Sequence, residues 1–198
     1  MRGGLLFVHI AAIVVAQAQS ETFRFESWKS QNPKAGIAET SMPSGEKSAI
    51  EGAVLEVLKH WLGTKPADSE LLQLSKLTAV KLFDVTGDGV PEVIAEGGNT
   101  ESGTCSPTGN CPWWVFGKQG YRYIPLLESF GNGLSTDCSR KGRQCGISGF
   151  MHGSATEFGI KVYRFTDTKY AKVAEYSVAW PLDENGRTAR QPTITKDQ

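Results

Sequence analysis

Val80-Lys81-Leu82-Phe83-Asp84-Val85-Thr86-Gly87-Asp88-Gly89-Val90-Pro91-Glu92-Val93-Ile94-Ala95 is the stretch on which the fold turns. Two short apolar runs, 80–83 and 92–95, enter and leave a polar loop, which reads as strand, turn and strand. Oxygen-bearing side chains fall at loop positions 1, 3, 5 and 9 (Asp84, Thr86, Asp88 and Glu92), with Gly89 at position 6. That spacing wraps a short backbone around one hard cation, and calcium, which takes roughly six to eight oxygens, suits it. With the Val90 carbonyl added, the expected ligand set is Asp84, Thr86, Asp88, Val90 and Glu92, holding a structural Ca2+.

Two other readings compete. An EF-hand needs a bidentate Glu at position 12 and helical flanks. Here position 12 is Ala95 and the flanks are β-like, so that reading fails. A metal-free turn would also use Asp and Gly for backbone geometry. Three carboxylates so close in sequence repel one another, however, and a dication removes that penalty. The loop and its strands resemble the metal loop of FG-GAP/VCBS-type repeats, whose pattern is D-x-[DN]-x-D-G-x-x-[DE]. Asp84, Asp88, Gly89 and Glu92 match, while Thr86 replaces the usual Asn or Asp. The resemblance implies a β-blade hairpin whose loop commonly binds calcium, with lower affinity where a neutral hydroxyl stands at 86. One such loop is present, and the chain is too short for a closed propeller of four-stranded blades.

Upstream, Ile50, Val54, Val57, Leu58 and Trp61 share one face at helical spacing, which predicts an amphipathic helix over 45–62. Ser44 is its expected N-cap and Gly63 its stop. A shorter helix is expected over 69–74. Residues 1–18 read as a secretory signal peptide: Arg2, an apolar run, and Ala16-Gln17-Ala18 as the cleavage site. Residues 19–43 read as an extended N-terminal arm, 44–180 as a single domain, and 181–198 as a polar, disordered tail.

Downstream the period is that of strands. Residues 113–116 and 121–127 read as a hairpin, 131–144 as a loop, 146–151 as a strand, and 160–165 with 170–176 as another hairpin. The two β halves read equally as a degenerate repeat or as two hairpins of one sheet. Cys105, Cys111, Cys138 and Cys145 fit an oxidising compartment. Local pairs, Cys105 with Cys111 and Cys138 with Cys145, are favoured over a zinc site, which would need closer spacing.

The expected class is therefore α+β: an N-terminal amphipathic helix packed on antiparallel, blade-like meander hairpins with two disulfides. Lys plus Arg equal Asp plus Glu, 21 against 21. That balance leaves no basic surface for nucleic acid, and there is no polybasic cluster for membranes. Trp113, Trp114, Tyr121 and Tyr123 are candidates to stack on a sugar or anchor a protein, though a small domain needs its tryptophans in the core. His152, Ser154 and Glu157 lack the elbow of a serine hydrolase. The leading expectation is a secreted or periplasmic non-enzymatic module that binds a protein or glycan. The alternative is an exported hydrolase, or an inhibitor of one that projects Arg140, Lys141 and Arg143 from the loop closed by Cys138 and Cys145.

Overall fold

A computed structural model describes residues 25–63, 67–98, 104–139, 144–188 and 191–197. In chain order its first elements are β1 (Lys29–Ser30), β2 (Ala35–Gly36), α1 (Ser44–Leu62), α2 (Asp68–Leu77), β3 (Ala79–Phe83) and β4 (Glu92–Glu96). There follow β5 (Cys111–Gln119), β6 (Arg122–Gly131), β7 (Gly133–Asp137), β8 (Gly146–His152), β9 (Glu157–Thr166), β10 (Lys169–Ala179) and β11 (Thr193–Lys196).

The run at the start of β5 shows why one sheet with one open face cannot hold this chain. Trp113, Trp114, Val115 and Phe116 are all fully buried. Successive residues of a strand point to opposite faces, so β5 must be covered on both. Trp114 and Phe116 pack with Ile50, Val54, Val57 and Leu58 of α1 and with Leu71 and Leu74 of α2. Trp113 and Val115 pack with Leu134, Ile147, Tyr163 and Tyr170 of a second sheet. The protein is thus mostly β, with two helices and two antiparallel sheets. The orders are β2-β3-β4-β5-β6 and β1-β7-β8-β9-β10-β11. The hairpins β5–β6 and β9–β10 belong to different sheets. A third apolar cluster lines the far face of the second sheet: Ile160, Val162, Tyr176 and Val178, with Trp28, Phe158 and Trp180 beside them.

The chain changes sheets at Asn132, between β6 and β7. The Asn132 N–H donates to the Phe150 carbonyl (2.6 Å), and a Cβ on Gly131 would stand 2.1 Å from that same oxygen. Residues 131–144 were expected to be loop because Gly, Asn, Ser and Thr dominate them. Yet 133–137 form β7, with Leu134 in the inter-sheet core. On β6, a bulge between the pairs Val115–Leu127 and Phe116–Pro125 lets both Leu126 and Leu127 reach that core.

The N-terminal arm is part of both sheets. β1 pairs with β7 and β2 with β3, and Ile37 is fully buried against the helices. Gln31 anchors the crossing through its N–H to the Leu134 carbonyl (2.9 Å) and its side-chain amide to Thr136 Oγ1 (2.7 Å). The polar tail also departs from expectation, since β11 pairs with β10 at its Tyr176–Ala179 end. The signal reading of 1–18 lies outside the described residues. α1 begins at Ser44 itself, with Pro43 as N-cap, and ends at Gly63, whose φ of 69° suits glycine. α2 runs three residues beyond its expected end. Trp61 is partly exposed and stacks on Phe130 at 5.6 Å. Among the described residues no helix is long and apolar enough to cross a membrane. Both local disulfides are formed, Cys105–Cys111 and Cys138–Cys145, a chemistry suited to oxidising surroundings.

α1 is tied to the β5–β6 hairpin by one carboxylate. Glu46 accepts from the Lys118 ammonium and from Tyr123 O–H (2.7 Å). The Lys118 bond, then the Tyr123 bond, hold Glu46 below its ordinary value, while burial and Glu46 raise Tyr123. A lowered carboxylate pKa contributes stability that is present above the unfolded value and lost as pH falls through the folded one. Glu46→Gln is expected to cost about 1 kcal/mol at neutral pH, a figure already discounted for solvent screening. Urea unfolding of both proteins from neutral to acid pH should show that gap closing below the ordinary carboxylate range. A gap independent of pH would discount the charge.

Candidate metal loop at the sheet junction

Loop 84–92 joins β3 to β4 and is ordered by its own carboxylates. Asp84 Oδ1 accepts the Gly87 N–H (2.6 Å) and Oδ2 the Gly89 N–H (3.0 Å). Gly87 and Gly89 have φ of 75° and 86°, the left-handed region that explains glycine at both positions. Asp88 Oδ1 accepts from the Val90 N–H (2.8 Å). Glu92 reaches back across the loop: Oε2 accepts from the N–H groups of Val85 (2.8 Å) and Thr86 (3.2 Å), and Oε1 from the Thr86 hydroxyl (3.1 Å). Glu92 is buried, and burial raises its pKa. The Val85 and Thr86 bonds oppose that rise, while the charge of Asp88 adds to it.

These bonds revise the repulsion expected from the sequence. Backbone N–H groups, invisible in a list of side chains, already offset part of the negative charge. The donor set is all oxygen, the chemistry that a hard cation takes. Each carboxylate has about four lone-pair sites, so Asp84, Asp88 and Glu92 all retain acceptor capacity. Among the described residues, no group of three or more His, Cys, Asp and Glu side chains stands gathered as a metal cage.

Val85 fastens the loop to the second sheet. Its side chain is fully buried in the inter-sheet cluster. Its carbonyl accepts from the Cys145 N–H (2.8 Å) and the Tyr170 O–H (3.1 Å). The Tyr170 oxygen also lies 3.2 Å from the Cys145 carbonyl. Burial raises the Tyr170 pKa, and the charges of Glu92 and Asp84 raise it further. Neither Tyr170 nor Cys145 was legible as a support of this loop. The available hint was Val85, an apolar residue inside a polar loop.

Of the aromatic candidates, Tyr121 alone stands free in solvent, 98% exposed at the β5–β6 turn. Trp113, Trp114 and Tyr123 are buried, which withdraws them as a contact surface. They are held there by polar bonds as well as packing: Trp113 Nε1 donates to the Gly131 carbonyl (2.9 Å) and Tyr123 to Glu46. Arg140, Lys141 and Arg143 lie outside the described residues. His152 ends β8, and its backbone is bonded on both sides to the Asn110 amide (2.7 Å each). Ser154 and Glu157 form the tight turn to β9, the Ser154 N–H donating to the Glu157 carbonyl (3.0 Å). Among the described residues neither ring, of His60 or of His152, has a hydrogen-bond or ion-pair partner.

No family model matches the chain, and neither do any curated protein or solved structure with which it was compared.

Proposed function

We propose that this protein is an exported, secreted or periplasmic, non-enzymatic binding module in which loop 84–92 takes calcium as a structural clip. The observation that carries this reading is an all-oxygen loop fastened at the junction of two sheets through Val85. Asp84, Thr86, Asp88 and Glu92 would hold the ion through side chains and Val90 through its carbonyl. The cation supplies positive charge that the N–H groups only partly provide. The disulfides accord with an oxidising compartment. A protein or glycan is the proposed ligand class, with the fully exposed Tyr121 ring at a hairpin tip as the contact suited to either.

Calorimetric titration of calcium into chelator-treated protein tests the metal. Calcium at a hundredfold excess over Kd is expected to stabilise the fold by about 2.7 kcal/mol, a rise in Tm of roughly 5–10 °C. Asp88→Ala should abolish both the heat and the Tm shift. Absence of heat and of a shift in the unaltered protein would remove calcium from this reading.

A further inference from the structure

The acidic loop and the second disulfide are far apart in sequence, Cys145 lying 61 positions after Asp84. In the fold a single loop residue, Val85, joins them. The Val85 N–H donates to Glu92, and the Val85 carbonyl accepts from the Cys145 N–H and from Tyr170. Cys145 is buried and lies just before β8, while its partner Cys138 is exposed just after β7. The disulfide therefore closes a short covalent ring whose buried end grips the loop.

We infer that loop 84–92 and the Cys138–Cys145 disulfide form one linked unit, in which opening the disulfide weakens the loop's hold on a cation and a bound cation resists reduction. The cation half rests on the calcium reading above. Opening the disulfide removes the covalent tie that fixes Cys145 to Cys138 at the end of β7. Cys145 and the Tyr170 bridge then hold the Val85 carbonyl less tightly, and Val85 in turn is the closest backbone donor fixing the Glu92 carboxylate. Ligands held in place before binding cost less to organise, so loosening them lowers affinity. Linkage between two equilibria is reciprocal, so the effect runs both ways.

The electrons come from an external dithiol. Its thiolate attacks Sγ of exposed Cys138, breaking the S–S bond, and Cys145 leaves as a thiolate that takes up a proton. The second thiol of the reagent then displaces Cys138, which is protonated in turn. The protein gains two electrons and two protons, and the reagent becomes a cyclic disulfide.

Hydrogen exchange and calcium calorimetry on the full chain test the linkage. In a Cys138→Ser, Cys145→Ser variant, exchange at residues 84–92 should accelerate and calcium Kd should weaken, each by about fivefold or more. Calcium should also slow labelling of Cys138 during dithiothreitol reduction of the intact protein. Tyr170→Phe keeps the disulfide and the ring packing, and a smaller loss in the same direction is expected. It decides the matter if the serine variant does not fold. Unchanged loop exchange and unchanged Kd in a folded variant overturn the inference. Absence of calcium heat in the intact protein overturns the calcium reading and the cation half together, and the exchange result then decides whether the disulfide orders the loop.

Discussion

Gly131→Ala is expected to destabilise the protein by about 3 kcal/mol, the upper part of the usual range for overpacking. A methyl there would stand 2.1 Å from the Phe150 carbonyl oxygen and 2.8 Å from its carbon. Both are backbone atoms of β8 and cannot rotate away. Phe150 is held in place because its carbonyl accepts the Asn132 N–H, and Gly131 because its own carbonyl accepts Trp113 Nε1. The methyl must therefore push the two sheets apart where the chain passes between them. Two comparisons isolate that cause. At Gly117 the nearest obstacle is the Leu126 side chain, 2.8 Å away, which can change rotamer, so Gly117→Ala should cost less. At Gly52, exposed on α1, nothing lies within 4 Å, and alanine should stabilise by roughly 0.5–1 kcal/mol through helix propensity. Urea unfolding of the three variants gives the order. A Gly131→Ala protein as stable as the parent would show that the close approach of the sheets is not a constraint.

Asn110→Asp, nearly isosteric, is expected to cost about 2–3 kcal/mol at neutral pH. Asn110 is 5% exposed, and its amide pairs with the His152 backbone like a short piece of strand, accepting its N–H and donating to its carbonyl (2.7 Å each). A third bond runs to Thr108 Oγ1 (3.0 Å) within the loop that Cys105–Cys111 closes. This residue thus joins that disulfide loop to the second sheet. Aspartate keeps the acceptor but faces the His152 carbonyl with a second oxygen and no proton. Burial and that carbonyl favour the protonated acid, which raises its pKa in the folded state. With a raised carboxyl pKa, stability is lost as pH rises through the window between the unfolded and folded values. The penalty should therefore be full at neutral pH and shrink in acid, where a protonated carboxyl donates again. A penalty that does not change with pH would mean that the donor to His152 is not what holds the loop.

Local chemistry made much of this legible in the sequence. The spacing of Ile50, Val54, Val57 and Leu58 marks the buried face of α1, and Gly63 marks its end. The two short apolar runs at 80–83 and 92–95, either side of the polar loop, mark β3 and β4. Cysteines six and seven apart formed the local pairs. β7 was hidden because its Gly, Ser and Thr residues resemble a loop, and their burial comes from strands distant in sequence. β1 and β2 were hidden for another reason. Two-residue strands carry no period, and only pairing with β7 and β3 makes them strands.

The acidic loop divides in the same way. Its oxygens, its two glycines and its place between strands follow from the sequence alone, because side-chain chemistry and backbone sterics act within a few residues. The tertiary structure decided what lies behind it: Val85 buried between sheets, with Cys145 and Tyr170 bonded to its carbonyl. It also decided that both tryptophans of β5 are core, since burial on two faces needs a helical layer on one side and a second sheet on the other. Those outcomes depend on contacts between segments far apart in the chain, and no local pattern encodes which distant segment will arrive.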